Sequence, residues 1–312
     1  MRIRAQMTKM TLGFREIIEL SAPQYLLLSL LSPTAAYMIV AQQIPTLPFL
    51  SVVVALSFLV LGFNAANMIF DADLDAYNKP KRPIPSGKTK KSEAAVLATL
   101  FYIAGLIVGL TVNFQFMLLL IAFIIVSVIY SMPPLRLRNY WWGSSIAGAV
   151  LYGIVPFLSA EVFAGKILSQ PIFLAFFTAL IIIISNTKDL EDTIGEKKMG
   201  VSSLPVLLGE QTTAYIVIGT NFLLIVLMAV LAGNGSIPKK YLSAALVSLA
   251  IFALASLAFL KDVREIRAKN YITEKIKQKN EFNDALQSEA VTISVFYAIA
   301  VQLIFGAASL QA

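Results

Sequence analysis

The stretch AAVLATLFYIAGLIVGLTVNFQFMLLLIAFIIVSVIYSMPPL, residues 94–135, contains no charged side chain. Glu93 bounds it on one side and Arg136 on the other. It is long enough for two helices of about 20 residues joined by a tight turn, each able to cross a hydrocarbon layer about 30 Å thick. One buried helix of a soluble domain does not account for such a gap. The rest of the 312-residue chain agrees, with 58% apolar and 14% charged residues and a mean hydropathy of +0.77. A soluble domain carries about a quarter charged residues. The expected fold class is therefore all-α, a polytopic membrane helical bundle, because lipid offers the backbone no hydrogen-bond partners.

Working outward, apolar segments predict nine spans, at 22–43, 48–70, 94–112, 114–131, 143–161, 171–187, 212–232, 241–260 and 288–309. Lys and Arg orient them. All but three of the 25 basic residues fall in 1–21, 71–92, 132–142, 188–211 and 261–285; Lys166, Lys239 and Lys240 are the exceptions. By the positive-inside rule those five segments are cytoplasmic, as is the N-terminus, and residue 312 is external. The chain reads as one domain, 1–312, of a multi-pass cell-membrane protein. Segment 1–21 reads as a basic amphipathic helix on the membrane surface, or equally as a frayed tail. Segment 261–285 is a charged cytoplasmic loop whose mixed charges recur at helical spacing, as in a solvated or interfacial helix.

The chain has no Cys and no His. That excludes disulfides, thiolate nucleophiles, Cys/His zinc sites and Ser-His-Asp triads. Carboxylate, amide, hydroxyl and cationic groups remain, and hard oxygen donors suit Mg²⁺, with Mn²⁺ also admissible. Ser86-Gly87-Lys88-Thr89 imitates the end of a phosphate-binding loop, but Arg82 stands where its first glycine belongs. An NTPase is rejected, and no nucleic-acid partner is expected.

Two acidic clusters sit at cytoplasmic span ends. In NMIFDADLDAYNKPKRPIPSG, Asn67, Asp71 and Asp75 recur at i, i+4 and i+8 and share a helical face, while Asp73 points elsewhere. Carboxylates one turn apart repel unless a cation lies between them. In KDLEDTIGEKKMG, Asp192 and Glu196 are again four apart, with Asp189 one turn earlier. Mg²⁺ keeps waters and is shared between one or two carboxylates and phosphate oxygens, so two such clusters ask for a polyanion such as a diphosphate. Lys79, Lys81, Arg82, Arg138, Lys188, Lys197 and Lys198 surround the acids. Arg136 and Tyr130 flank the Met-Pro-Pro bend at a span end, where Arg can hold phosphate oxygens bidentately and Tyr can donate a hydroxyl.

These motifs resemble the signatures of the UbiA prenyltransferase family. NMIFDADLDAYNKPKRPIPSG is similar to its first, although that signature commonly begins Asn-Asp and here Met68 follows Asn67; KDLEDTIGEKKMGVSSLPV is similar to its second, with Glu196 in place of Asp. Tyr130 to Arg138 resembles the family's tyrosine-and-basic loop. The resemblance implies helices around a cavity open to the cytoplasmic side, and Mg²⁺ on a diphosphate held by Asn67, Asp71, Asp75, Asp189, Asp192 and Glu196. Asn67, Lys81, Arg82, Arg136, Arg138 and Lys188 would bind the diphosphate. Asp71, Asp75, Asp192, Arg136 and Tyr130 would act in ionisation. Phe63, Phe70, Phe123, Trp141 and Tyr152 are available for the apolar tunnel. The implied donor is an isoprenyl diphosphate such as geranylgeranyl diphosphate. The RPIPSG loop looks most like archaeal enzymes that prenylate geranylgeranylglyceryl phosphate, with a quinone-precursor arene or chlorophyll-type acceptor as the alternative. A cation-coupled secondary transporter is the rival class, but its ionisable groups belong near the bilayer midplane.

Overall fold

The computed structural model describes residues 13–275 and 289–311. The readings of residues 1–12 and 276–285 lie outside the described residues. The helices are α1 Phe14–Ser21, α2 Pro23–Ala41, α3 Leu50–Phe70, α4 Ala72–Asn78, α5 Lys91–Gly109, α6 Phe114–Ser131 and α7 Gly143–Gly148. They continue with α8 Val155–Phe163, α9 Pro171–Ser185, α10 Thr193–Met199, α11 Leu204–Leu208, α12 Glu210–Gly233, α13 Lys240–Lys275 and α14 Glu289–Ser309. A π-helical turn, Ala149–Ile154, joins α7 to α8, so Gly143–Phe163 runs as one apolar span. Among the described residues there is no strand, only an isolated bridge between Tyr140 and Ser202.

Eight helical segments are long and apolar enough to cross a membrane, and Tyr25–Ala41 is a shorter apolar helix. The uncharged stretch divides as expected into α5 and α6. Asn113 caps the second, its side chain accepting the Phe116 N–H at 2.8 Å, which satisfies one of the amides a helix start leaves unpaired. The first begins earlier than predicted, at Lys91, because the Glu93 carboxylate turns back to accept the Lys90 N–H at 3.0 Å. The larger difference is α13. It continues past the predicted span end at 260 to Lys275, so the charged segment is helical as far as it is described, in keeping with the helical spacing of its charges. Lys, Arg and Glu are good helix formers, and an ended hydrophobic pattern is not an ended helix.

Apolar side chains such as Leu100, Ile107, Phe114, Leu223 and Leu254 are exposed on the outer helices, as lipid contact requires and water does not tolerate in quantity. Inside, Leu56, Leu59, Phe123, Phe177 and Phe305 are fully buried in one core. α14 packs against α2, closing the bundle from its last helix to its first apolar one. Gly306 makes that approach possible: a Cβ there would lie 3.1 Å from the Ala35 backbone. Small residues let membrane helices come this close and gain dispersion contacts.

Candidate active site

Both acidic clusters are built by helices that stop and restart. α3 ends at Phe70 and α4 begins at Ala72, with Asp71 between. The i→i−4 ladder nevertheless runs through: Asp71 N–H donates to Asn67 O at 2.9 Å, Asp75 to Asp71 at 2.7 Å and Lys79 to Asp75 at 2.7 Å. That continuity keeps Asn67, Asp71 and Asp75 on one face. Asp71 and Asp75 are buried, whereas the Asp73 side chain is 77% exposed and lies 3.6 Å from the exposed Lys91 ammonium. In the second cluster a 3₁₀ turn, Lys188–Leu190, leads to Asp192, which precedes α10. Asp192 N–H donates to Asp189 O at 3.2 Å and Glu196 N–H to Asp192 O at 3.0 Å, and all three acids are buried.

Asn78 ties the clusters together. Its Nδ2 donates to Asp192 O and its Oδ1 accepts from Gly195 N, each at 3.0 Å. Gly195 must be glycine for this approach, since a Cβ there would sit 2.6 Å from Asn78 Oδ1.

Between the clusters lies Arg138. Its guanidinium contacts Asp71 closely, donates to Asp192 Oδ2 at 3.2 Å and faces Glu196 Oε1 at 3.8 Å. Arg136 approaches from behind, donating to Phe70 O at 3.0 Å and Asp71 Oδ1 at 3.3 Å. Arg82 donates to both Asp75 oxygens at 3.0 and 2.8 Å. Lys79 crosses to the second cluster, 2.5 Å from Glu191 and 2.8 Å from Asp192. Lys188 donates to the Tyr130 hydroxyl, stands 4.7 Å above that ring and 3.9 Å from Asp189. Asn67 donates to Asp71 at 2.6 Å and accepts from Ser131 at 3.2 Å.

Charge state follows the pairing. Burial alone would raise Asp192, but Lys79 and Arg138 outweigh it and hold the carboxyl down at about 2. Burial, with Asp189 and Asp192 alongside, pushes Glu196 up to about 8 despite Arg138. Asp75 is raised by burial even against Arg82. Lys79 is held above its ordinary value, because Asp192 and Glu191 overcome its own burial.

The donor set fits a hard divalent cation bound partly through substrate. Among the described residues no three acidic side chains form a ready-made cage; cationic groups stand between them. Yet Asp189 Oδ1 and Glu196 Oε1 are buried without a hydrogen bond among the described residues, and such oxygens are costly unless something binds them. Carboxylates with a share of phosphate oxygens are the usual Mg²⁺ environment.

A cavity of about 490 Å³ opens beside the clusters. Its charged end is lined by Lys79, Arg82, Arg138, Lys188, Glu191 and Asp192, with Asn67 and Tyr130 on the wall and Lys81 at the exposed rim. Asp71, Asp75, Asp189 and Glu196 stand behind this lining and meet it through their cationic partners. Arg136 is likewise one layer back. The remaining wall is mostly apolar, including Leu28, Leu151, Ile181, Ile184 and Val295, with Ser144, Ser185 and Tyr152 among its polar members. Of the predicted tunnel aromatics, Phe63 and Tyr152 line the cavity. Phe123 is buried in the core and Trp141 is 51% exposed, while Phe70 supplies its carbonyl to Arg136.

Sequence reasoning named Lys79 only among the cations around the acids, and left Asn78, Glu191, Ser144 and Ser203 outside the site. Lys79 and Glu191 lie inside the two motifs, and their charge was the available signal. Asn78 carried none, because its partners are more than a hundred residues away. Ser203, which donates to Glu196, and Ser144, 3.4 Å from the Tyr130 hydroxyl, look like any serine in a chain.

The model of the UbiA prenyltransferase family matches residues 30–273. A digeranylgeranylglyceryl phosphate synthase of Methanococcus aeolicus is 34% identical over 208 residues, 66% of this chain and 72% of that protein. Another, from Methanococcoides burtonii, is 30% identical and covers 70% of this chain and 75% of its own. A chloroplastic chlorophyll synthase of Avena sativa is 30% identical over 62% of this chain and 53% of its own. Among solved structures, a UbiA homologue from Archaeoglobus fulgidus bound to GPP and Mg²⁺ superposes with a TM-score of 0.60 at 16% identity, covering 95% of this chain and 99% of that one. At that identity the likeness is one of fold.

Proposed function

The chain belongs to the UbiA prenyltransferase family, and we propose that it transfers a geranylgeranyl chain from its diphosphate to the hydroxyl of geranylgeranylglyceryl phosphate, releasing diphosphate. The observation that carries the reading is the arrangement around Arg138. Two buried acidic clusters and their cations meet at one end of a cavity whose other walls are mostly apolar. A diphosphate head suits the charged end and an isoprenoid tail the rest.

Asn67, Asp71, Asp75, Asp189, Asp192 and Glu196 would hold Mg²⁺, which neutralises charge on the leaving group. Arg138, Arg82 and Lys188 would grip diphosphate oxygens, with Arg136 buttressing Asp71 and the Tyr130 hydroxyl adding a donor. The Leu28, Leu151 and Ile181 walls exclude water that would otherwise capture an allylic cation as an alcohol. Phe63 presents an aromatic face beside Tyr130, ring centroids 5.8 Å apart, where such a cation can be stabilised.

The glycerol-lipid acceptor is supported by the RPIPSG loop and by the names of the archaeal relatives; the chlorophyll synthase similarity supports a second reading, an aromatic or chlorophyll-type acceptor. A competition assay decides: purified protein, one prenyl diphosphate, and geranylgeranylglyceryl phosphate and 4-hydroxybenzoate at equal concentration. The lipid should be prenylated preferentially and EDTA should abolish transfer. Selective transfer to the aromatic acid would sink the lipid assignment, and full activity in EDTA would remove the metal.

The same reading puts the charged cavity end on the cytoplasmic face, with the N-terminus inside and the C-terminus outside, as the basic residues direct. Single cysteines placed in this Cys-free chain at Ser86 and Lys166 test it. In intact cells an impermeant maleimide should label position 166 and spare position 86. Labelling of position 86 alone reverses the orientation.

A further inference from the structure

We infer that the Tyr152 hydroxyl is the hydrogen-bond partner of the acceptor's nucleophilic hydroxyl, an inference that rests on the alcohol-acceptor reading above. Tyr152 lines the cavity and is only 7% exposed, and its hydroxyl has no hydrogen-bond partner among the described residues. Two serine hydroxyls in the same lining are satisfied within the protein. Ser144 pairs with the Tyr130 hydroxyl at 3.4 Å, and Ser185 donates to Ile181 O at 2.7 Å.

The backbone beneath Tyr152 is built to hold it there. It lies in the π-helical turn Ala149–Ile154, an insertion that re-aims the side chains of a helix and recurs at functional sites. The turn is pressed against α9. A Cβ at Gly153 would stand 2.9 Å from Thr178 Cα, and one at Gly148 would stand 2.0 Å from Ser185 Oγ. On the other side, Ser32 Oγ lies 3.3 Å from the Tyr152 carbonyl and 2.7 Å from Gln302 Oε1. The Tyr25 ring, 5.8 Å away, flanks the Tyr152 ring.

A buried hydroxyl without a partner destabilises the empty cavity and favours a ligand that brings an oxygen to it. The donor does not bring one. A prenyl diphosphate carries all its oxygens at the head and is hydrocarbon beyond its first carbon. The oxygen must come from the second substrate. If Tyr152 accepts the acceptor's O–H, a lone pair of that oxygen is left to face the allylic carbon. The new bond joins this oxygen to the first prenyl carbon. The old carbon–oxygen bond breaks with its electron pair going to diphosphate, which takes up the displaced proton.

Tyr152→Phe tests the inference, because it keeps the ring and removes one oxygen. The acceptor KM should rise about 3- to 10-fold, the ordinary worth of one hydrogen bond, while the KM for geranylgeranyl diphosphate stays at its wild-type value. An acceptor analogue with hydrogen in place of the nucleophilic hydroxyl should inhibit wild type and Tyr152→Phe equally, since neither complex can form the bond. An unchanged acceptor KM in a variant whose wild type prenylates the lipid overturns this inference alone. So does a donor KM that rises in step with the acceptor KM, or an analogue that loses affinity for the variant. A wild type that leaves the lipid alcohol untouched fails at the acceptor reading instead, and takes this inference with it.

Discussion

Asp71→Asn and Asp192→Asn are each expected to lower prenyl transfer by about 10²- to 10⁴-fold, roughly 3–5 kcal/mol of lost transition-state stabilisation. Asn keeps the shape and one oxygen, so packing is disturbed little, but the negative charge that binds a cation is gone. Asp71 is fully buried and in contact with Arg138, and Asp192 lies between Arg138 and Lys79. Neither loss can be made good by solvent. Asp75→Asn belongs to the same class, held by Arg82. Asp73→Asn is the internal control: its side chain is 77% exposed and its activity should stay within about twofold of wild type. Steady-state assays on variants whose thermal transitions match the wild type measure the effect. An essential Asp73 would show that the shared face of Asn67, Asp71 and Asp75 is not the working one.

That face was readable because it depends only on spacing. Helical geometry puts residues four apart together whatever the rest of the chain does, and the same rule found Asp192 and Glu196. The apolar spans were readable for an equally local reason: an uncharged run as long as 94–135 admits few other fates. Their ends were less so. α13 runs on to Lys275 because charged residues tolerate a helix as well as water does. What spacing cannot supply is the meeting of the two clusters. Asn78 reaches α10, Lys79 pairs with Glu191 rather than with its own cluster, and Arg138 rather than Arg136 takes the centre. The last exchange has a backbone cause. Arg136 sits in the left-handed region at φ +34° just before the 3₁₀ turn Leu137–Asn139, and the turn carries Arg138 inward. Ser202 N–H donating to Asn139 O at 3.0 Å then fixes that loop against the second motif.

Arg138→Met should therefore be the most damaging single substitution for the metal-free protein. Met retains much of the apolar stem but removes the guanidinium that contacts Asp71, Asp192 and Glu196 together. The Asp71 and Glu196 side chains are at most 1% exposed and that of Asp192 is 7%, so little water replaces the guanidinium. Removing one partner from a buried charge network costs about 3–5 kcal/mol, which corresponds to a fall in Tm of roughly 6–20 °C in a chain of this size. Arg138→Lys should fall between, because an ammonium is a point charge and cannot serve two carboxylates with a rigid fork. A divalent cation at the same place would restore the missing charge. Mg²⁺ with a prenyl diphosphate should accordingly raise the Tm of Arg138→Met more than that of wild type, while turnover stays low for want of the phosphate-gripping guanidinium. Thermal unfolding in detergent, followed by the fluorescence of Trp141 and Trp142, reads both effects. A variant that melts with the wild type in the absence of metal would mean that the two acidic clusters are held together by Asn78 and Lys79 without Arg138.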